Sequence, residues 1–115
     1  TSFRQDIGNW DVGNVNDMSF MFKSNPGFNQ DIGNWNVSSV VSMNGMFSSV
    51  NAFNQDIGNW NVTNVADLRG MFLMAGSFNQ DLTQWCVSGH SVMPTNFATN
   101  SALTSANLPV WGTCP

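Results

Sequence analysis

The sequence predicts an α/β solenoid: a right-handed stack of four 25-residue coils, each a short parallel β-strand followed by a short helix. Three observations predict it. Phe recurs at Phe3, Phe28, Phe53 and Phe78, always 25 residues apart, and a fixed period in this range marks a repeat architecture. The stretch FNQDIGNWNV stands unchanged at 28–37 and 53–62, with near copies FRQDIGNWDV at 3–12 and FNQDLTQWCV at 78–87. Within each copy the apolar residues alternate first and then recur at helical spacing.

The strand is read from the line I-x-x-W-x-V. Its columns are Ile7, Ile32, Ile57 and Leu82; Trp10, Trp35, Trp60 and Trp85; and Val12, Val37, Val62 and Val87. Trp and Val two residues apart share one face of a strand, which turns Asn34, Asn36 and Ser38 to the other. The helix is read from Val15, Met18, Met21 and Phe22, repeated as Val40, Met43, Met46, Phe47 and as Val65, Leu68, Met71, Phe72. Spacing of i, i+3, i+6 and i+7 is one face of about two helical turns. Asn14, Ser39 and Asn64 stand where an N-cap belongs, with Asp17 and Asp67 in the first turn.

One coil cannot bury its own aromatic side chains, so coils stacked at about 4.8 Å place each column against its copies. Phe, Trp and Met are therefore expected as core. The fourth coil departs from the pattern: His90 takes the Val column, Asn96 a Met column, and Pro94 interrupts the helical stripe. We read residues 88–115 as a C-terminal cap, with Val110 and Trp111 as its last apolar cover. Cys86 and Cys114 both lie in this last third and are expected to form a disulfide, worth about 3–4 kcal/mol by loop entropy. A disulfide implies an oxidising, extracytoplasmic setting.

At 115 residues the chain is one domain by length. Seven Asp and no Glu face three basic residues, Arg4, Lys23 and Arg69, for a net charge of −4. Such a balance offers no cationic surface to nucleic acid or anionic lipid. Solubility rests on amides and hydroxyls, above all on seventeen Asn. No apolar run is long enough to span a membrane as a helix, and the opening residues do not read as a signal peptide. The chain opens on a repeat without Met, which reads as a mature or excised piece.

FNQDIGNWNVSSVVSMNGMF and FNQDIGNWNVTNVADLRGMF resemble the repeat of the BspA-like leucine-rich-repeat surface proteins, related to the repeat of mycoplasmal lipoprotein-associated proteins. The tail WCV…NF…LPVWGTCP resembles the way such arrays end in secreted proteins of marine Bacteroidetes. The resemblance covers nearly the whole chain. It implies a bacterial cell-surface or secreted solenoid used in adhesion to host or matrix proteins or between cells, with no catalytic motif to carry over.

Candidate sites follow by column. Asp6, Asp31, Asp56 and Asp81 read as turn residues capping local N–H groups; Asp31 and Asp56 are the calcium alternative. The Trp column reads as core, with a sugar-binding aromatic stripe as its alternative. His90, in a Gly-Ser loop, reads as a surface or capping residue. Polar groups that recur in every coil argue for scaffold or an extended face, not for a single active site, so no enzyme is expected.

The outward face carries Asn34, Asn36, Ser38, Asn59, Asn61 and Thr63, with Asn9, Asp11, Gly13, Gln84 and Ser88 continuing it. It is expected to bind an extracellular protein or glycan. The alternative is a structural spacer or self-assembling segment of a larger surface protein; an ice-binding plane is a further reading, with Thr63 its only Thr. Asn36-Val37-Ser38 and Asn61-Val62-Thr63 match glycosylation sequons, read as incidental in a bacterial chain. The first coil is expected to expose Phe3, Ile7, Trp10 and Val12 at an uncapped edge, to be covered by further repeats, a partner or a second copy.

Overall fold

The backbone of each repeat closes on itself through tight turns. In the first unit Trp10 N–H bonds Ile7 C=O, Val15 bonds Val12, Met21 bonds Met18, Lys23 bonds Phe20, Asn25 bonds Phe22 and Phe28 bonds Asn25, all i to i+3 at 3.0–3.3 Å. The second and third units repeat most of the series, with Trp35 to Ile32, Val40 to Val37, Met46 to Met43, Ser48 to Gly45 and Val50 to Phe47 in the second. The computed structural model describes residues 6–115; Phe3, the first of its column, lies outside them.

This corrects the strand-plus-helix reading. Among the described residues the only helical element is a 3₁₀ turn at Ser105–Asn107, and the only parallel pairing is the pair of isolated bridges Asp17↔Ser42 and Ser42↔Asp67. The chain is not an α/β solenoid and has no leucine-rich-repeat coil of strand and helix. An α-helix needs i to i+4 bonds through residues of negative φ. Here Phe20 and Ser24 (φ 59° and 61°), Gly45 and Ser49 (63° and 62°), and Gly70 and Met74 (63° and 59°) turn left-handed four residues apart in the supposed helix. Spacing of i, i+3 and i+7 suits a run of turns as well as a helix. Asn14, Ser39 and Asn64 accordingly cap nothing; Asn64 Nδ2 instead bonds Ser38 C=O at 2.8 Å.

Successive units nevertheless lie copy upon copy. Met18, Phe20, Phe22 and Ser24 donate to the carbonyls of Ser42, Asn44, Met46 and Ser48, and Met43, Gly45, Phe47 and Ser49 donate to Asp67, Arg69, Met71 and Leu73, at 2.8–3.0 Å. In the fourth unit the offset lengthens from 24 to 25 residues, with Gly70 bonding Thr95 and Phe72 bonding Phe97. The left-handed position there moves to Asn96 (φ 57°) and Asn100 (58°). Thr95 holds the Gly column, and a β-branched residue is strained at positive φ where Asn is tolerated.

Two Phe columns form the core. Phe28, Phe53 and Phe78 stack at 5.8 and 5.7 Å, while Phe22, Phe47 and Phe72 stack at 5.8 and 5.5 Å. Within a unit the columns meet face to face, at 3.9 Å for Phe22–Phe28 and 4.2 Å for both Phe47–Phe53 and Phe72–Phe78. Trp35, Trp60 and Trp85 are buried beside them with the Ile and Val columns and with Met18, Met43, Met46 and Met71. Trp10 and Met21 depart from the core reading: both are exposed, at 52% and 37%. Contrary to expectation, Ile7 and Val12 are buried.

The units approach closely enough to demand glycine at one place. A Cβ on Gly8, Gly33 or Gly58 would sit 2.5–2.6 Å from the backbone oxygen of Asp31, Asp56 or Asp81 in the next unit. Gly33→Ala therefore is expected to destabilise the protein by about 1–3 kcal/mol, the cost of overpacking against a backbone atom that cannot yield. Gly89→Ala, where a Cβ meets nothing within 4 Å, should stay within about 0.5 kcal/mol. Urea denaturation of the two variants measures the contrast.

Candidate functional site

The outward turn of each unit follows from FNQDIGNW. Phe enters the core, and the next three residues tie the unit to its neighbour and to itself. Asn29 Oδ1 accepts Asn54 N–H at 2.9 Å, and Asn54 Oδ1 accepts Asn79 N–H at 3.0 Å. Gln55 Nε2 reaches back to Asn29 C=O and Oδ1 (3.0 and 3.1 Å), as Gln80 does to Asn54 (3.0 and 2.9 Å). These Asn and Gln clips were not foreseen from the residues, although their unchanged spacing in three copies was the available signal.

The Asp column locks turns. Oδ1 of Asp6, Asp31 and Asp56 accepts the N–H of Gly8, Gly33 and Gly58 at 2.9–3.0 Å, and Asp81 Oδ1 accepts both N–H (2.8 Å) and Oγ1–H (2.6 Å) of Thr83. An acidic side chain bonding the N–H two residues on is an Asx-turn. Among the described residues no three His, Cys, Asp or Glu side chains gather to hold a metal ion; Asp31 and Asp56 have one oxygen each committed to the turn.

The Trp column reaches down one unit. Trp35, Trp60 and Trp85 donate their indole N–H to the carbonyls of Ile7, Ile32 and Ile57 at 2.9, 3.1 and 3.0 Å, in buried surroundings. These indoles are core and unavailable to a sugar ring. Trp10 is half exposed, and among the described residues its indole N–H makes no hydrogen bond.

On the amide face, Asn36 and Asn61 are half-committed. Asn36 Oδ1 accepts the N–H (3.1 Å) and hydroxyl (2.6 Å) of Ser38, and Asn61 Oδ1 does the same for Thr63 at identical distances. Asn9, Asn34, Asn59 and Gln84 occupy one place in the four units, between the turn Gly or Thr and the Trp, and all are exposed. Among the described residues their side-chain amides make no hydrogen bond. Asp11 holds the turn at Gly13 (3.1 Å), and Ser88 is exposed.

At the other end, Cys86 and Cys114 are disulfide-bonded. The tail returns across the fourth unit: Leu82 N–H bonds Asn107 C=O (2.9 Å) and Val87 N–H bonds Thr113 C=O (2.9 Å). Trp111 meets Phe97 edge to face at 5.0 Å, whereas Val110, read as apolar cover, is 54% exposed. His90 Nε2 lies 2.8 Å from Val65 C=O, its ring edge-on to Trp111. Beside it an open depression of about 500 Å³ is lined by Asp67, Arg69, His90, Val92 and Met93 among others. Its charges are engaged with one another: Arg69 donates twice to Asp67, at 3.0 and 2.9 Å, and Asn44 Nδ2 adds a third bond at 3.2 Å.

Hydrogen bonds from Arg69 hold the Asp67 carboxyl below its ordinary 3.8, and raise the Arg69 guanidinium in turn. Thr83 lowers Asp81, and Ser19 lowers Asp17, in the same way. A carboxyl lowered by folding contributes stability that is present above its unfolded value and is lost as the pH falls through its folded one. Urea midpoints are thus expected to decline in acid, below the ordinary value of 3.8. In Asp67→Asn, whose side chain does not titrate, that decline should be shallower.

Nothing matches the chain among curated proteins, and no solved structure matches it. One family model does match, over residues 1–111. The chain belongs to that family, described as a Mycoplasma protein of unknown function, DUF285.

Proposed function

We propose that the chain is a non-catalytic recognition module of an extracellular or bacterial cell-surface protein, and that it binds protein or glycan through its column of free amides. The observation that carries this reading is the contrast within one motif. Asn29, Asn36, Asn54 and Asn61 spend their side-chain oxygens inside the protein, while Asn9, Asn34, Asn59 and Gln84 are exposed and their amides make no hydrogen bond among the described residues. An amide offers two donors and an acceptor, and four on a regular stack present a row of paired groups to hydroxyls or to an extended backbone. Ser38, Thr63 and the free Nδ2 groups of Asn36 and Asn61 border the row.

The extracellular placement is supported by the Cys86–Cys114 disulfide and by the resemblance of the repeat to BspA-like surface proteins. Calcium is not part of the reading, because Asp31 and Asp56 act as turn locks. One observation favours a second reading, a structural spacer: most polar groups of the motif are consumed by clips between and within units.

A screen against glycans and matrix proteins, with calcium and with a chelator, separates the two. The recognition reading expects a ligand bound equally in both conditions. It also expects Asn34→Ala with Asn59→Ala to weaken that binding at least about tenfold, or 1.4 kcal/mol, with the thermal midpoint unchanged. Uniformly negative results would favour the spacer.

A further inference from the structure

Two glycines of successive units form the same floor, and a side chain covers one of them. Gly45 and Gly70 stand 25 residues apart, both at φ 63°. Each gives its N–H to the next unit at 3.0 Å, Gly45 to the carbonyl of Arg69 and Gly70 to that of Thr95. Against Gly45 lies the ring of Phe20: a Cβ on this glycine would sit 2.6 Å from the ring's Cδ1 and Cε1. Lys23 holds its ammonium nitrogen 5.2 Å from the centroid of the same ring. A glycine and a cation thus frame one aromatic side chain.

At Gly70 the ring is missing. The residue that would supply it, 25 positions after Phe20, is Gly45 itself, and among the described residues a Cβ on Gly70 would meet nothing within 4 Å. A cleft of about 300 Å³ opens there, lined by Asn44, Arg69, Gly70, Leu73, Thr95 and Asn96. Benzene already fits an apolar cavity of roughly 150 Å³. The cation is present too, since Arg69 lines the cleft with its side chain 64% exposed.

We propose that this cleft binds an aromatic side chain, Phe or Tyr, of a protein partner, seated on Gly70 as Phe20 is seated on Gly45. The charges select an uncharged ring. Arg69 spends the edge of its guanidinium on Asp67, at 3.0 and 2.9 Å, so the pair has no net charge to draw an anion or a cation. A guanidinium bonded along its edge keeps its flat face for stacking on an aromatic ring, and glycine is the residue that lets a ring lie directly against the backbone. An aliphatic side chain would fill the space but gain nothing from the cation. The inference rests on the Gly45–Gly70 comparison alone and stands or falls apart from the amide-binding reading.

The test titrates the whole chain with N-acetylphenylalanine amide and, as control, N-acetylleucine amide, reading the backbone N–H signals of Gly45 and Gly70 by NMR. The Phe amide is expected to shift Gly70 saturably and leave Gly45 in place, with the Leu amide at least about threefold weaker. Two variants bear on the site from opposite sides. Gly70→Asn, a residue that tolerates this positive φ, fills the cleft and should weaken the Phe amide at least about tenfold. Phe20→Ala removes a half-exposed ring and should open a second saturable site, read at Gly45. Four results would overturn the proposal: no saturable shift at Gly70; the Leu amide binding as tightly as the Phe amide; no response at Gly45 in Phe20→Ala; or a Gly70 signal that moves with protein concentration alone, which assigns the cleft to a second copy.

Discussion

A buried indole N–H must find an acceptor, and in this protein the acceptor lies one unit away. Trp35, Trp60 and Trp85 each close a bond to the Ile carbonyl 28 residues earlier. That carbonyl also closes the Ile-Gly-Asn-Trp turn of its own unit, since Trp10, Trp35 and Trp60 N–H bond it as well. One oxygen thus serves its own turn and the neighbour's side chain, using both lone pairs. Forming the turn and stacking the unit become one event. The glycine after each Ile follows from the same approach, because the next unit's backbone occupies the space a Cβ would fill.

With no α-helix or continuous strand among the described residues to supply regular bonds, the backbone depends on such local closures. Asp at the turn, Asn and Gln between units and a pair of left-handed residues four apart in each unit together replace the ladders of ordinary secondary structure. A backbone group buried without a partner costs as much as a lost hydrogen bond, and among the described residues no buried side-chain nitrogen or oxygen lacks a partner. Among the described residues the amides of Asn9, Asn34, Asn59 and Gln84 make no such bond, and all four are exposed.

Side-chain placement in the inner units was legible in the sequence, while that of Trp10, Met21 and Val110 and the backbone conformation were not. The period of 25 put Phe28, Ile32, Trp35 and Val37 inside and Asn34 and Asn36 outside, as observed, because burial follows from which residues can pay desolvation. The helix inferred at Val15, Met18, Met21 and Phe22 was wrong because i, i+3 spacing also suits serial turns, and positive φ at Phe20, Ser24, Ser49 and Met74 has no signature in those residue types. Within the amide face, the sequence could not separate Asn34 from Asn36, two identical side chains. What separates them is Ser38, whose N–H and hydroxyl reach Asn36, while the Asn34 amide makes no hydrogen bond among the described residues.

The central claim is that the indole clip couples turn and stack. Trp60→Phe keeps an aromatic ring in the core but removes the N–H, so it tests the clip most directly when compared with Trp10→Phe, where no clip exists. The account predicts a loss of about 1–3 kcal/mol for Trp60→Phe, the cost of a buried bond left half made together with some lost packing. It predicts a change within about 0.5 kcal/mol for Trp10→Phe, both by urea denaturation. Equal effects of the two substitutions would contradict it.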